Sequence, residues 1–233
     1  MSIKSVWHRI KAVSFIGDMY EKYIGSKKVA RIEKKCREEL VKDGEKYMGL
    51  VEDTLKDSGA IYYAYAGTLL GLIRDGKFIN WDFDIDYAIV ITQDFTWNDL
   101  ENLMKKSGFK KTREFVFDGS VKEQSYAVGK LNIDFFGQFY EDTHMIQYSF
   151  EYIPDCKYNN ENERSVYLVT LPKVVETKKI RMENVDVSVP TNSEEILAAI
   201  YNEDWRVPNP NWKSNSGKCS VLLKNKVAYQ VVL

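Results

Sequence analysis

Three aspartates alternate with apolar and aromatic residues between positions 81 and 91 of the chain. Asp82, Asp84 and Asp86 are separated by single residues and are followed by a short apolar run. In an extended strand alternate side chains point to one face, so the three carboxylates would lie together. Like charges at that distance repel, and a half-buried strand makes unpaired carboxylates costly. A divalent cation would offset this cost, so the spacing predicts a metal site.

Two alternatives to this metal site have less support. A calcium-binding EF-hand loop also begins Asp-x-Asp-x-Asp, but it needs glycine at its sixth position and glutamate at its twelfth. Counting from Asp82, those positions hold Tyr87 and Gln93. The acids could also protect an exposed edge strand from aggregation. The interleaved aromatic and β-branched residues instead favour a half-buried central strand, and with it the metal site.

A further aspartate, Asp134, interrupts the apolar run at residues 131–136. Buried aspartates without a partner are rare, so Asp134 is expected to have a cationic partner or a metal. If its strand lies beside that of Asp84 and Asp86, the three carboxylates could hold one or two Mg²⁺ ions together with phosphate oxygens and water. Such a site indicates phosphoryl transfer.

A glycine–threonine pair precedes the aspartates and could contact phosphate. Gly67 lets the backbone approach an anion closely, Thr68 adds a hydroxyl donor, and the helix predicted after them presents free N–H groups. On its own, such a pair is more often only a turn that enters a helix. Arg74 and Lys77 lie between it and the acids, and the combination predicts a pocket shared by phosphates and metal.

Helices and strands are both required to position these residues. Apolar periodicity and capping residues predict helices at about 43–56, 69–74, 97–107 and 194–201. Strands are predicted at 60–65, 81–91, 125–128, 130–136, 145–152 and 166–171, with a hairpin at 179–189. The expected fold class is mixed α and β (α/β in the broad sense, α+β), with a mixed sheet flanked by helices.

The composition is that of a soluble globular protein. The chain has 233 residues, of which 44% are hydrophobic, enough for one sizeable core and a small appendage. Three widely separated cysteines, Cys36, Cys156 and Cys219, suit a reducing compartment. We find no signal peptide and no apolar run long enough to span a membrane, so a cytoplasmic location is expected.

The first 37 residues are strongly basic. They hold ten Lys or Arg and three acids, a balance of +7, which leaves −8 for the remainder of a chain whose net charge is −1. Apolar residues from Ile3 to Val13, including Trp7, recur at helical spacing. Such a helix could pack on its own domain or on a second subunit, forming a homodimer, or lie on the inner face of an anionic membrane. We predict a helical arm at residues 1–40 and a catalytic domain at residues 41–233.

Residues 65–86 closely resemble the signature of the LicD family, which includes the fukutin-related proteins of the nucleotidyltransferase superfamily. The segment runs Tyr-Ala-Gly-Thr-Leu-Leu-Gly-Leu-Ile-Arg-Asp-Gly-Lys-Phe-Ile-Asn-Trp-Asp-Phe-Asp-Ile-Asp. The resemblance continues through Asp134, through the hairpin that ends at Pro190, and through residues 196–205. It therefore spans about residues 45–208 and implies a nucleotidyltransferase-like fold.

The resemblance implies a Mg²⁺- or Mn²⁺-dependent transferase. Its donor would be CDP-activated, and its product a phospho-alcohol (phosphocholine, ribitol phosphate or glycerol phosphate) on a hydroxyl of a cell-surface glycan or lipid-linked saccharide. A nucleotidyltransferase acting on a small molecule or an RNA end is the alternative, although no basic track outside the arm suggests nucleic acid. A catalytically inactive scaffold that binds glycan or nucleotide is a third alternative.

The resemblance also implies roles for single residues. Asp84 and Asp86 match the metal ligands, and Asp134 the third carboxylate, as ligand or as general base. Asp82 would support the site by orienting Arg74 or Lys77. The phosphate turn corresponds to Gly67 and Thr68, and Arg74 would neutralise the diphosphate. Three residues near the C-terminus, Trp205, Arg206 and Trp212, could contact the acceptor glycan; the alternative is that the Asp-Trp ending simply caps the fold.

Overall fold

The computed structural model describes residues 26–233. The basic amphipathic pattern predicted at residues 3–13 lies outside the described residues. The first described helix, α1 (Ser26–Leu55), is continuous through position 40, where we placed the end of the arm. It therefore joins the described part of the predicted arm to the helix predicted at residues 43–56.

The described part of the chain is mixed α and β, as the sequence predicts. Besides α1, the helices are α2 (Ala66–Asp75), α3 (Trp97–Lys106) and α4 (Ser193–Tyr201). The strands are β1 (Tyr62–Ala64), β2 (Ile85–Val90), β3 (Lys110–Phe117), β4 (Ser120–Val128), β5 (Leu131–Tyr140), β6 (His144–Glu151), β7 (Glu163–Pro172), β8 (Thr177–Met182), β9 (Val185–Pro190) and β10 (Ser220–Val232). Two of them, β3 and β10, lie outside every predicted strand.

Eight strands form one mixed sheet in the order β1-β2-β5-β4-β3-β10-β7-β6. Strand β6 also pairs with the last residues of β5, so β5, β4, β3, β10, β7 and β6 close into a ring. Strands β2 and β5 are parallel, whereas the neighbouring pairs β1–β2 and β4–β5 are antiparallel. The remaining two strands, β8 and β9, form a separate hairpin, as predicted.

The parallel pairing of β2 with β5 sets the position of the acidic residues. Asp86 is directly opposite Asp134 in the register. We predicted one strand that carries all three alternating aspartates, and this is wrong for two of them. Strand β2 begins only at Ile85, after a turn at residues 80–81, so Asp82 and Asp84 lie in the segment that enters the strand.

Helix α1 packs its apolar face against the core. Cys36, Leu40, Met48, Val51 and Leu55 recur at helical spacing and are all at most 3% exposed. Full burial of a Leu, Val or Met side chain contributes about 1.5–3 kcal/mol. This stripe therefore holds α1 firmly on the sheet and on the β8–β9 hairpin.

A buried carboxylate on α1 also ties four strands together. Glu52 accepts hydrogen bonds from the hydroxyls of Tyr62 (2.9 Å) and Tyr87 (3.2 Å) and from the backbone N–H of Ser188 (2.9 Å). Lys179 supplies the ammonium that pairs with it. Because Tyr87 follows Asp86 directly, this cluster fixes β2 next to the acidic residues.

Helix α3 has the capping box predicted at its start. Thr96 accepts a hydrogen bond from the backbone N–H of Asp99, and the Asp99 carboxylate accepts one from the backbone N–H of Thr96. Gly108, which follows the helix, has a φ of +86°, as expected for a glycine after a helix end. None of the helices described between residues 26 and 233 is long and apolar enough to cross a membrane.

Candidate active site

The structure brings together three of the aspartates singled out by the sequence. Asp84, Asp86 and Asp134 each offer a carboxylate oxygen, and these atoms all lie within 4.8 Å of one another. Asp86 and Asp134 come from neighbouring parallel strands, and Asp84 from the segment just before β2. Three convergent carboxylates of this kind can bind a metal ion.

The electrostatics of the aspartates also favour a cation. Burial by the surrounding protein raises the pKa values of Asp84 and Asp86 well above the usual range. Repulsion adds to this effect, since each of these carboxylates faces the other aspartates, including Asp134. Burial also raises the pKa of Asp82, to about 6. The group therefore takes up protons or a cation to relieve its negative charge.

The surroundings of one carboxylate oxygen of Asp134 indicate whether a metal ion fits the site. Asp134 is 3% exposed, and its Oδ1 atom accepts no hydrogen bond from any residue described by the structure. A buried carboxylate oxygen without a partner is costly unless a ligand satisfies it. Carboxylate oxygens are the ligands that Mg²⁺ and Mn²⁺ prefer. The residues present therefore fit a hard divalent cation.

A buried arginine, which the sequence analysis missed, holds the other oxygen of Asp134. Arg113 Nη2 lies 3.1 Å from Asp134 Oδ2 and 3.0 Å from Glu123 Oε1. Arg113 Nε donates to Ser125 Oγ at 3.1 Å. These residues sit on β3, β4 and β5, where Arg113 is opposite Ser125 and Ser125 is opposite Asp134. The sequence signal at this position was the two-residue spacing that Arg113 shares with Phe115 and Phe117, which places all three on one face of the strand.

Glu123 is the second residue that sequence analysis missed. It is 3% exposed and lines the same cavity as the aspartates. Burial raises the pKa of Glu123 to about 8, against the opposing charge of Arg113, and Asp134 adds to the rise. A carboxyl group with a raised pKa is a stronger base than an ordinary glutamate when it is ionised.

The acidic residues open into a cavity of about 400 Å³. Strand β6 contributes polar side chains to its lining, and helix α4 and the segment before β10 contribute aromatic and amide groups. The lining includes Tyr65, Ala66, Asp84, Asp86, Arg113, Glu123, Asp134, Gln147, Ser149, Glu151, Tyr201, Trp212 and Asn215. A cavity of this size with charged residues in its lining can enclose a small-molecule ligand.

The predicted phosphate turn lies next to this cavity. Of residues 65–68, Tyr65 and Ala66 line the cavity, and Ala66 has a φ of +44° at the start of α2. Thr68 is 1% exposed, and its hydroxyl oxygen accepts a hydrogen bond from the backbone N–H of Asp86 at 2.9 Å. The structure thus shows Thr68 holding Asp86, with its hydroxyl already engaged by the protein.

Gly67 is needed for a close contact of a different kind. A Cβ atom at this position would lie 2.5 Å from Oδ2 of Asp82. Asp82 therefore approaches the backbone of the turn more closely than any side chain at position 67 would allow. This contact places the first aspartate of the series against the start of α2 and apart from the three that converge.

Arg74 and Lys77 lie away from the lining of the cavity. Arg74 makes a two-point contact with its neighbour Asp75, through Nε at 2.9 Å and Nη2 at 2.7 Å. Lys77 is exposed, and its backbone N–H donates to the carbonyl of Gly71. The carboxylate that orients Arg74 is therefore Asp75 and not Asp82.

One of the three aromatic and basic candidates near the C-terminus reaches the cavity. Trp212 lines it and packs against Tyr201, with ring centroids 5.4 Å apart. Trp205 is 5% exposed and belongs to the core, and the Arg206 guanidinium lies 4.2 Å from the centroid of its ring. Trp205 and Arg206 thus belong to the packing around α4, whereas Trp212 faces the cavity.

A family model described as "LicD/FKTN/FKRP, nucleotidyltransferase domain" matches residues 59–192. This range covers more than half of the chain and extends from β1 to β9, so it includes the three convergent aspartates, Arg113 and Glu123. It is shorter at both ends than the segment over which we noted a resemblance. No curated protein sequence matches the chain.

Proposed function

The chain belongs to the LicD/FKTN/FKRP family of nucleotidyltransferase domains, and we propose on this basis that it is a metal-dependent phosphotransferase. Its donor would be a CDP-activated alcohol, and its acceptor a hydroxyl group of a cell-surface glycan or of a lipid-linked saccharide. The transferred group would be phosphocholine, ribitol phosphate or glycerol phosphate. Membership of the family supports the class of reaction, and the residues that line the cavity would carry it out.

The convergence of Asp84, Asp86 and Asp134 is the observation that carries the proposal. Their oxygens lie within 4.8 Å of one another at the floor of a cavity, and one oxygen of Asp134 has no partner among the described residues. The mutual repulsion of the three carboxylates and the unpartnered oxygen of Asp134 both favour a bound cation at this site. We infer that these residues would hold one or two Mg²⁺ or Mn²⁺ ions.

A bound divalent cation supplies positive charge that offsets the charge of the donor phosphates and of the CMP leaving group. The protein holds the carboxylates of the site in fixed positions. Arg113 keeps Asp134 in one orientation, and Thr68 keeps the backbone of Asp86 in place. Ala66, the first residue of α2, lines the cavity, so the N–H groups at this helix start would be available to a phosphate.

The acceptor hydroxyl must lose its proton during transfer. Glu123 stands beside the aspartates, lines the cavity and lies outside the group of three ligand residues. Its raised pKa, about 8, suits it to accept that proton. We therefore assign Glu123 the role of general base, which leaves Asp134 as a ligand.

The test incubates the protein with Mg²⁺, a panel of saccharide acceptors and, in turn, CDP-choline, CDP-ribitol and CDP-glycerol. Release of CMP measures the turnover of each donor. We expect CMP release with one donor, its loss in excess chelator, and its loss in Asp86→Asn. Release of pyrophosphate from CTP, with transfer of CMP, would instead show that the chain is a nucleotidyltransferase. Full activity in chelator would refute the metal-dependent mechanism.

A further inference from the structure

Three polar residues form one wall of the cavity. Gln147, Ser149 and Glu151 occupy alternate positions of β6, and all three line the cavity. Alternate residues of a strand project to one face and are spaced by about 7 Å. The wall therefore offers a row of polar groups within reach of one extended ligand.

The first residue of this row is held by a buried chain of hydrogen bonds. The hydroxyl of Tyr63 donates to Oε1 of Gln138, and Nε2 of Gln138 donates to Oε1 of Gln147 at 3.0 Å. Tyr63 and Gln138 are both fully buried, at 0% exposure. Three strands, β1, β5 and β6, contribute one residue each.

This chain determines which end of the Gln147 amide faces the cavity. If both amides were reversed, the Tyr63 hydroxyl would face an NH₂ group, and its hydrogen would have no acceptor among the described residues. A buried hydroxyl hydrogen without an acceptor costs about 1–3 kcal/mol of folding free energy. The Tyr63 hydroxyl therefore selects one orientation, in which Gln147 turns its carbonyl inward and its NH₂ group toward the cavity.

The NH₂ group of Gln147 is available to a ligand. Gln147 is 3% exposed, its Oε1 atom is the one that accepts from Gln138, and its Nε2 atom makes no hydrogen bond with the residues described between positions 26 and 233. At the other end of the row, Glu151 presents a carboxylate that accepts a hydrogen bond from Asn215 Nδ2 at 3.1 Å. The wall thus offers a donor, a hydroxyl and an acceptor in sequence.

We propose that Gln147, Ser149 and Glu151 form a hydroxyl-recognition row for a polyhydroxylated ligand, with the Tyr63–Gln138 pair holding Gln147 as its donor. Each hydroxyl of such a ligand both donates and accepts, and so matches this order of groups. A quaternary ammonium group does neither. The inference rests on the proposed function and narrows its substrates, because the polyol is either the alditol of the donor or the sugar of the acceptor.

The experiment compares the wild type with Gln147→Glu. The substitution keeps the oxygen that accepts from Gln138 and replaces only the outward NH₂ group. In one arm, calorimetry with Mg²⁺ gives the affinities of CDP-ribitol, CDP-glycerol, CDP-choline and CMP. In the other, saturation-transfer NMR follows free galactose, glucose and N-acetylgalactosamine on protein that holds CMP and Mg²⁺.

A loss of about tenfold in affinity for CDP-ribitol or CDP-glycerol, with CMP unchanged, would identify the donor alditol as the ligand. Loss of the sugar signals, with donor affinities unchanged, would identify the acceptor sugar. The inference fails if all affinities and signals are unchanged, if CDP-choline is weakened as much as CDP-ribitol, or if wild-type protein binds CMP but none of the polyols. Failure to bind any cytidine ligand would instead refute the proposed function.

Two further variants separate recognition from folding. Tyr63→Phe removes the hydroxyl that selects the amide orientation and lies outside the cavity lining, so the same polyol should bind a few-fold more weakly while CMP binds normally. A purely structural role of Tyr63 would lower the melting temperature without this selectivity. Gln124→Glu is the matched control, because Gln124 is 2% exposed, accepts from Tyr126, and lies outside the cavity lining; it should leave every affinity unchanged.

Discussion

Arg113 contacts one carboxylate oxygen of Asp134 at 3.1 Å and leaves the other oxygen free of protein donors in the described part of the chain. The guanidinium is itself fixed by Glu123 and Ser125. Asp134 is therefore oriented by the protein before a ligand arrives. An arrangement of this kind reduces the cost of ordering the site on binding.

Replacing Arg113 should weaken the metal site. Arg113→Lys keeps the charge but loses the fork of donors that contacts Ser125, Glu123 and Asp134 together. We expect metal affinity and kcat to fall by about 10–100-fold, as is typical when a residue that orients a ligand is changed. Calorimetric titration with Mg²⁺ and steady-state kinetics measure both.

The matched control is Arg181→Lys, because Arg181 pairs with Asp186 on the surface, where both side chains are more than half exposed. Exposed pairs contribute little, about 0–1 kcal/mol, so this variant should behave as the wild type. If the wild type and Arg113→Lys bind Mg²⁺ with equal affinity, Arg113 supports the fold and does not contribute to the metal site.

Asp86→Asn should make the metal-free protein more stable. The substitution removes one of the crowded negative charges without changing the size of the side chain. A gain of about 1 kcal/mol would raise the melting temperature by about 2–4 °C in a chain of this length. Stabilisation by added Mg²⁺ should be lost at the same time. Thermal unfolding in chelator and in Mg²⁺ tests both statements, with Asp155→Asn, on an exposed loop, as the neutral control.

Metal binding should tighten as pH rises. Because the pKa values of Asp84 and Asp86 are raised well above 3.8, the metal-free protein retains protons that a cation must displace. For the same reason, metal-free stability should fall as pH rises from about 4 toward the raised pKa values, since there the folded state binds more protons than the unfolded state. Calorimetry in buffers of different ionisation enthalpy counts the released protons, and a count of zero would contradict the expectation.

Glu123→Gln should reduce kcat by about 10²–10⁴-fold, the usual contribution of a general base. The amide oxygen keeps the contact with Arg113, so donor binding should change little. In the wild type, kcat should rise with pH as Glu123 loses its proton, at a pH below the metal-free pKa of about 8 because the bound cation favours the ionised form, and this limb should vanish in the variant. An unchanged pH–rate profile would assign the base to another group.

Gly67→Ala should disturb the start of α2 through Asp82. The new methyl group would meet the carboxylate at 2.5 Å, so Asp82 must move. We expect Gly67→Ala to reduce activity a few-fold. The reduction should be smaller when Asp82 is already replaced by alanine, because the new methyl group then has room. A double-mutant cycle measures this coupling, and strictly additive effects would show that the two residues act independently.

The individual aspartates of the site could be predicted from sequence because each breaks a local pattern: Asp86 and Asp134 both interrupt apolar strands. Their convergence depends on the parallel pairing of β2 with β5, which these local patterns do not encode. The capping box at Thr96 and the helix after Asn192 are likewise local. In contrast, the roles of Thr68 and Arg74 depend on which neighbour captures each side chain, and the sequence does not encode that choice locally.

Arg113 and Glu123 were missed for a related reason. They lie on strands rich in charged residues, such as Lys110, Lys111, Glu114 and Lys122, which resemble surface segments in sequence. Both side chains face the cavity inside the ring of strands, which is complete only when β10 pairs with β3 and β7. The pattern of a strand can indicate which of its residues share a face, but it does not encode which distant strand will pair with it.

The closed ring of strands has a consequence for how the protein is made. Strand β10 sits between β3 and β7, yet six strands and a helix separate it from β3 along the chain. During synthesis the edges of β3 and β7 therefore stay open until residues 220–232 have left the ribosome. Open edges of this kind pair readily with other chains. We expect newly made protein to depend on chaperones until β10 inserts and closes the wall around the site.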